Sequence, residues 1–316
     1  MSPRAVAWGR RPRAPLVVLG IVGAFLVVAL GVTLGRRGPD IGLASFPARS
    51  APPDAAVLVG AGDIGDCGTE ADEATARLVE SIEGTVFAAG DTAYDRGTLD
   101  EFARCYSPTW GRVLSRTLPA VGNHEYETAG AAGYFAYYGP LAGTPGEGWY
   151  ARDVGTWRVY VLNSNCDFVG CGAGSEQLAW LESELRDRPA RCSVAIWHHP
   201  FVSSARRETD PRVGPLWAAV VTGGVELVVN GHDHFYERFA PLGVDGVPAA
   251  DGARLFIVGT GGRLLDPFGA VEPGSEARDS TTYGVVAFDL GDGFYRWRYL
   301  PAAGGTFTDS GEGRCR

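Results

Sequence analysis

Val225-Glu226-Leu227-Val228-Val229-Asn230-Gly231-His232-Asp233-His234 is a short apolar run that stops at a glycine and ends in alternating histidine and aspartate. Val225–Val229 reads as a buried strand. On an extended segment residues i and i+2 face the same side, so His232 and His234 can bind neighbouring ions. The same pattern, an apolar run followed by a polar cluster, recurs upstream. Ala56–Ala61 (A-V-L-V-G-A) ends at Gly62-Asp63, and Thr85–Ala89 ends at Gly90-Asp91. Leu118–Val121 ends at Gly122-Asn123-His124, and Ser193–Trp197 ends at His198-His199-Pro200. The glycines before Asp63, Asp91, Asn123 and His232 are expected to let the chain turn sharply there.

Helical patterns separate these strands. Thr69 and Asp72 resemble a capping box opening a helix that runs through Ile82. A second helix is expected near Leu99–Tyr106. Leu178, Leu181 and Leu185 place an apolar stripe on a helix from Ser175 to Arg188. Trp157–Leu162 is a strand, and the remainder is β: Leu255–Val258, Val285–Leu290 and Phe294–Tyr299. The alternation predicts an α/β domain over 55–316 without a second folded domain. The hydrophobic fraction of 45% supports a full core.

Open α/β sheets place their sites just past strand carboxyl ends. The five clusters therefore converge on one crevice. The chain has five histidines, and all of them fall in these clusters. Oxygen and imidazole donors together suit hard and borderline metal ions. Singly, each cluster has an ordinary reading: an Asp after a strand caps a helix, Gly-Asn is a common turn, and His198-His199 can simply pack. As an ordered set they predict a site for two metal ions. Gly259-Thr260-Gly261-Gly262 lacks a Walker lysine and reads as a turn near the site rim.

The N-terminus predicts export. Arg4, Arg10, Arg11 and Arg13 lie in residues 1–14, a basic segment expected to stay in the cytoplasm. Pro15 to Leu34 follows without a charge, long enough as a helix to span a hydrocarbon core of about 30 Å. Residues 15–35 are thus expected to be a transmembrane signal anchor, with a cleaved signal peptide as the alternative. Residues 36–54 read as a linker. The expected location is a membrane-anchored extracytoplasmic domain, or a secreted one. Six cysteines lie beyond this segment, an even count that suggests disulfides. Cys166 with Cys171 is the most evident pair. Cys67–Cys105 with Cys192–Cys315 would complete the set, although six cysteines permit about 15 connectivities. From residue 50 onward the chain holds 21 basic and 36 acidic residues. Such a field repels polyanions, so nucleic acid is not expected as a partner, whereas a small phosphate ester is admissible beside local cations.

Taken in order, Gly62-Asp63-Ile64-Gly65, Gly90-Asp91-Thr92-Ala93-Tyr94, Gly122-Asn123-His124-Glu125, Trp197-His198-His199-Pro200 and Gly231-His232-Asp233-His234 resemble the five motifs of the calcineurin-like metallophosphoesterases. Within that family the closest likeness is to the purple acid phosphatases. That subgroup lacks the His found two residues after the first Asp in the broader family and carries a Tyr; here the positions are Gly65 and Tyr94. Ala195 stands where the fourth motif has Val, and the N-terminal sandwich domain of large plant members is missing. The resemblance covers roughly 55–300. It implies a four-layer α/β/β/α sandwich of two mixed sheets flanked by helices, forming a single metallophosphoesterase domain.

The resemblance further implies that Asp63, Asp91, Tyr94 and His234 hold a first ion, and that Asp91 bridges to a second completed by Asn123, His198 and His232. His199 is not expected as a ligand, because adjacent strand residues point to opposite faces. A phenol with pKa near 10 binds as phenolate only to a strong Lewis acid, which favours Fe(III) beside Tyr94. The second position suits Zn(II), Fe(II) or Mn(II). His124 is expected to stabilise phosphate oxygens or protonate the leaving group, steadied by Glu125, and His199 to do similar work. The activity implied is hydrolysis of phosphate monoesters by metal-activated hydroxide. A phosphodiesterase or nucleotidase on the same site is the alternative, and an inactive surface binding module the remote one.

Overall fold

The structure, a computed structural model, describes residues 55–207 and 209–316. Its described strands are β1 (Ala56–Ala61), β2 (Thr85–Ala89), β3 (Thr117–Ala120), β4 (Tyr150–Val154), β5 (Trp157–Val161), β6 (Ser193–Ile196) and β7 (Leu227–Asn230). They continue as β8 (Tyr236–Leu242), β9 (Ala253–Val258), β10 (Ser275–Asp279), β11 (Gly284–Gly291), β12 (Phe294–Pro301) and β13 (Ser310–Arg314). The longer helices are α1 (Ala71–Ser81), α2 (Ala132–Tyr138), α3 (Glu176–Asp187) and α4 (Gly214–Thr222).

One sheet runs β13-β12-β11-β1-β2-β3 and the other β10-β8-β9-β7-β6-β5-β4. Both are mixed: β1, β2 and β3 are parallel while β11 is antiparallel to β1; β5, β6, β7 and β9 are parallel while β4 and β8 are antiparallel. Apolar faces of the two sheets meet in a core that joins Val59, Phe87 and Phe288 to Val194, Val229 and Phe256. A second core, with Leu181, Trp197, Trp217 and Leu255, lies where α3 and α4 cover the other face of the second sheet. Strands buried on both faces read as continuous apolar runs rather than alternating ones, which is why β1, β2, β6 and β7 were visible as such. The predicted four-layer α/β/β/α arrangement is the one observed.

Several local expectations change. The Glu70 side chain does not cap α1; Thr69 Oγ1 accepts only a long bond from Ala71 N, 3.4 Å, and donates to the Gly262 carbonyl, while Asp72 accepts from Thr109. The capping box lies further on, where Thr98 Oγ1 accepts from Glu101 N and Glu101 Oε2 accepts from Thr98 N. The helix expected near Leu99–Tyr106 is one α-turn, Leu99–Glu101, followed by a π-helical turn, Phe102–Tyr106. Four strands, β4, β8, β10 and β13, and helices α2 and α4 went unread. The sequence of β13, S-G-E-G-R, has no apolar residue. It pairs with β12 through backbone, and a Cβ on Gly311 would sit 2.2 Å from the Trp297 ring.

Three disulfides join Cys67 to Cys105, Cys166 to Cys171 and Cys192 to Cys315, with Cα separations of 4.9, 5.1 and 5.5 Å. They are the set proposed from the sequence. The expected N-terminal span lies outside the described residues. Among the described residues no helix is long and apolar enough to cross a membrane.

Candidate metal centre

The parallel strands β1, β2, β3, β6 and β7 all deliver their following residues to one edge, and there the five clusters meet. Asp63 (φ 60°), Asp91 (φ 49°) and His232 (φ 70°) adopt the left-handed backbone that non-glycine residues avoid. Each such residue costs on the order of 1–3 kcal/mol, and strain of this kind gathers at functional sites. The turn thus falls on the polar residue itself. Of the preceding glycines Gly90 (φ 84°) turns left-handed itself, while Gly62, Gly122 and Gly231 answer a different need, space. A Cβ on Gly122 would lie 2.1 Å from Asp91 Oδ1, and one on Gly231 would lie 2.6 Å from Asp63 Oδ2.

Each buried carboxylate is oriented by backbone on one oxygen and free toward the centre on the other. Asp63 Oδ2 accepts from His232 N at 2.8 Å, while Oδ1 faces Tyr94 Oη at 2.9 Å and His234 Nε2 at 3.3 Å. Asp91 Oδ1 accepts from His124 N at 2.8 Å. Asp91 Oδ2 lies 3.2 Å from Tyr94 Oη on one side and 3.1 Å from His198 Nε2 on the other. Asn123 Oδ1 is 3.2 Å from His198 Nε2, and the His232 ring centre is 5.1 Å from that of His198. Two donor groups therefore share one atom, Asp91 Oδ2.

The histidines are set for coordination. His198 Nδ1 faces the Ala89 carbonyl at 2.8 Å and His234 Nδ1 faces Leu264 O at 3.0 Å. A carbonyl only accepts, so Nδ1 carries a proton and Nε2 is the nitrogen that faces the centre, a common arrangement behind metal-bound imidazoles. Burial, with the charge of His199 and His198, holds His232 well below the ordinary histidine value and therefore neutral. Burial pushes the Tyr94 phenol well above its usual range, and Asp63 and Asp91 push it further. Burial opposes charge on Asp91, yet His198 and His124 keep it far below the usual carboxylate range; against burial, Asp91 in turn lifts His198 to about 9. This cluster of buried carboxylates calls for positive charge, and buried charges are paired or bind metals. The donor set fits two cations.

His199 does not turn away as strand alternation predicted. Strand β6 stops at Ile196, so His198 and His199 lie in a bend. One ligand nitrogen from each of His198, His199 and His232 lies within 4.8 Å of the others. His199 is distinguished by its partner: Nδ1 contacts Ser164 Oγ at 2.9 Å, and Ser164 Oγ accepts from His199 N at 3.0 Å. Burial and the neighbouring His198 push it down to about 3. His124 Nδ1 bonds to the Asp95 carbonyl and its Nε2 lies 3.9 Å from Asp91 Oδ2. Glu125 does not touch that ring. Its carboxylate turns inward and accepts from the backbone N–H groups of Asp91, Thr92, Ala93 and Gly122 and from the Thr92 hydroxyl.

Other residues at the site escaped sequence reading. The Arg263 guanidinium sits 4.5 Å over the Tyr94 ring, between Asp66 and Asp95. Arg207 pairs with Asp233, Nε to Oδ1 2.9 Å, and donates to His232 O. Arg207 and Arg212 line a cleft of about 150 Å³ with His199 and His232. Nothing in the sequence marks these arginines among many others. The Gly259–Gly262 stretch does lie beside the centre: Gly261 N donates to Gly62 O at 2.9 Å.

The fold and this centre define a metal-binding α/β sandwich with its donors at strand ends. The chain belongs to the calcineurin-like phosphoesterase family, whose model matches residues 49–236, and within it the chain is purple acid phosphatase-like. It is 34% identical over 149 residues to an uncharacterized protein of Mycobacterium tuberculosis, covering 40% of this chain and 28% of that one. It is 28% identical over 228 residues to the probable purple acid phosphatase 20 of Arabidopsis thaliana, covering 63% and 51%. In fold it resembles the purple acid phosphatase PPD1 of yellow lupin seeds, with a TM-score of 0.71 at 20% identity, over 83% of this chain and 54% of that one. The chain spans about half or less of the length of these proteins.

Proposed function

We propose that this protein hydrolyses small phosphate monoesters at a binuclear metal centre. One observation carries the reading: Asp91 Oδ2 stands between two donor groups, Asp63–Tyr94–His234 and Asn123–His198–His232. The phenol of Tyr94 favours Fe(III) in the first group, and the second suits Zn(II), Fe(II) or Mn(II). When bound, such ions supply an acidified water as nucleophile and positive charge for phosphoryl oxygens. The chain's own groups do the rest. His124, with Nδ1–H tied to Asp95 O, turns Nε2 toward the centre, where as the imidazolium it can donate the Nε2 proton to the leaving oxygen. His199 stands beside His232 for a phosphate oxygen. Arg207 and Arg212 offset the acidic field around the cleft. The purple acid phosphatase name of the Arabidopsis relative supports this class. The disulfides and the basic-then-apolar N-terminus support an extracytoplasmic domain over 55–316, tethered to the membrane or secreted.

The test is turnover of an aryl phosphate monoester and the matching diester by the purified, metal-loaded chain. Monoester turnover supports the proposal. Diester preference moves it to a phosphodiesterase, and no turnover of either favours a binding module. His124→Ala is expected to keep both ions by elemental analysis and to lower kcat by on the order of 10²-fold, as loss of a general acid does. Loss of metal together with activity would count against that role.

A further inference from the structure

The disulfide loop Cys166–Cys171 supplies no ligand and no proton to the proposed hydrolysis. The disulfide closes a single helical turn, Cys166–Val169. That turn carries Phe168, a large apolar side chain that is 60% exposed. Phe168 is not loose: its ring stacks on Tyr126 with centroids 4.1 Å apart and planes at 18°. Tyr126 ends the turn Asn123–Tyr126 that begins with Asn123 and His124. Its hydroxyl accepts from Asn163 Nδ2 at 2.9 Å, which locks the ring beneath Phe168.

Three ties bind this loop to the cleft. At its root Ser164 contacts His199. On its flank Asp167 pairs with Arg212, a cleft-lining residue. Through Tyr126 it leans on the segment bearing His124. An exposed, disulfide-held aromatic ring, next in sequence to the Asp167 that pairs with cleft-lining Arg212, offers one chemistry that the polar cleft lacks, a flat apolar face.

We propose that Phe168 is a specificity-determining residue, an aromatic platform at the cleft rim for phosphate esters whose leaving group is a planar aromatic ring. The inference rests on the phosphoesterase reading. Ring stacking is worth about 0.5–1.5 kcal/mol beyond area burial, or roughly 3- to 10-fold in affinity.

The experiment compares phenyl phosphate with glycerol phosphate, and phenylphosphonate with methylphosphonate, on the metal-loaded protein and its Phe168→Ala and Phe168→Tyr variants. Phe168→Ala is expected to raise KM for phenyl phosphate roughly 3- to 10-fold with kcat little changed, and to leave glycerol phosphate within about twofold. Phe168→Tyr restores the phenyl preference, because it keeps the ring. Cys166→Ser with Cys171→Ser, which frees the loop, reduces that preference. An equal loss on both esters, or no change on either, overturns the proposal. If the parent protein hydrolyses neither ester, the phosphoesterase reading fails. The phosphonate pair measured by calorimetry then still decides the platform: a phenyl preference lost in Phe168→Ala supports it, and equal binding of the two overturns it.

Discussion

Asp91→Ala is expected to lower kcat/KM by on the order of 10³-fold or more, about 4 kcal/mol of transition-state stabilisation, and to strip the protein of metal. Asp91 Oδ2 lies 3.2 Å from Tyr94 Oη and 3.1 Å from His198 Nε2, so its removal opens both donor groups at once. The loss extends to geometry. Asp91 Oδ1 accepts from His124 N, and without it the turn that aims Asn123 and His124 loses its anchor. Asp91→Asn separates the two effects. An amide oxygen can keep the His124 N–H bond but removes the negative charge, so this variant is expected to hold its fold and bind less than the full metal complement. Elemental analysis beside steady-state kinetics checks both variants. Full activity in Asp91→Ala would remove the shared-oxygen argument. Lost activity with two ions retained would assign Asp91 to a role other than bridging.

Glu125→Ala is expected to lower stability by about 4 kcal/mol, the largest stability effect at the site. Glu125 is fully buried, and four backbone N–H groups and the Thr92 hydroxyl converge on its two oxygens. Truncation leaves those donors buried without acceptors. Burial and the adjacent Asp91 carboxylate push the Glu125 pKa up, while the N–H groups of Gly122 and Thr92 pull it back. Those N–H groups belong to the turns that follow β2 and β3, so Glu125 stitches Asp91 to Gly122 across the two strands. A drop of about 10 °C in the thermal midpoint follows for a domain of this size. Glu125→Gln should fall between, since its amide oxygen still accepts but its NH₂ faces N–H groups that need an acceptor. A thermal midpoint unchanged in Glu125→Ala would show that water or a neighbour can replace the carboxylate.

How far the sequence reached depends on what held each element. Strands β1, β2, β6 and β7 are buried on both faces, so their residues carry the signal themselves. Strands β10 and β13 are polar and owe their conformation to pairing with β8 and β12. No periodicity in S-E-A-R-D or S-G-E-G-R announces such pairing. The Thr69–Asp72 expectation failed for a related reason. Gly262 and Thr109, distant in sequence, compete for those side chains and outweigh the local cap. Alternation misplaced His199 because the strand ends three residues before it.

At the site the division is similar. Asp63, Asp91, Asn123, His124, His198, His199, His232 and His234 were singled out from residue type and position, because they follow apolar strands and the motifs are local, whereas Tyr94 and the roles within the set came from the resemblance to the purple acid phosphatases. The inward turn of Glu125, the Ser164 hold on His199, the Arg263 stack on Tyr94 and the Phe168 stack on Tyr126 involve residues roughly 30 to 170 positions apart. By itself the sequence determined the strand-end clusters and the family, since these rest on burial and on chemistry carried by contiguous residues, while the pairing of the six cysteines stayed open until the structure joined them. Only the tertiary structure decided which oxygen two donor groups share, which carboxylate locks the turns and which tyrosine Phe168 stacks on. Such decisions depend on direction, and direction is set by neighbours that only folding brings into contact.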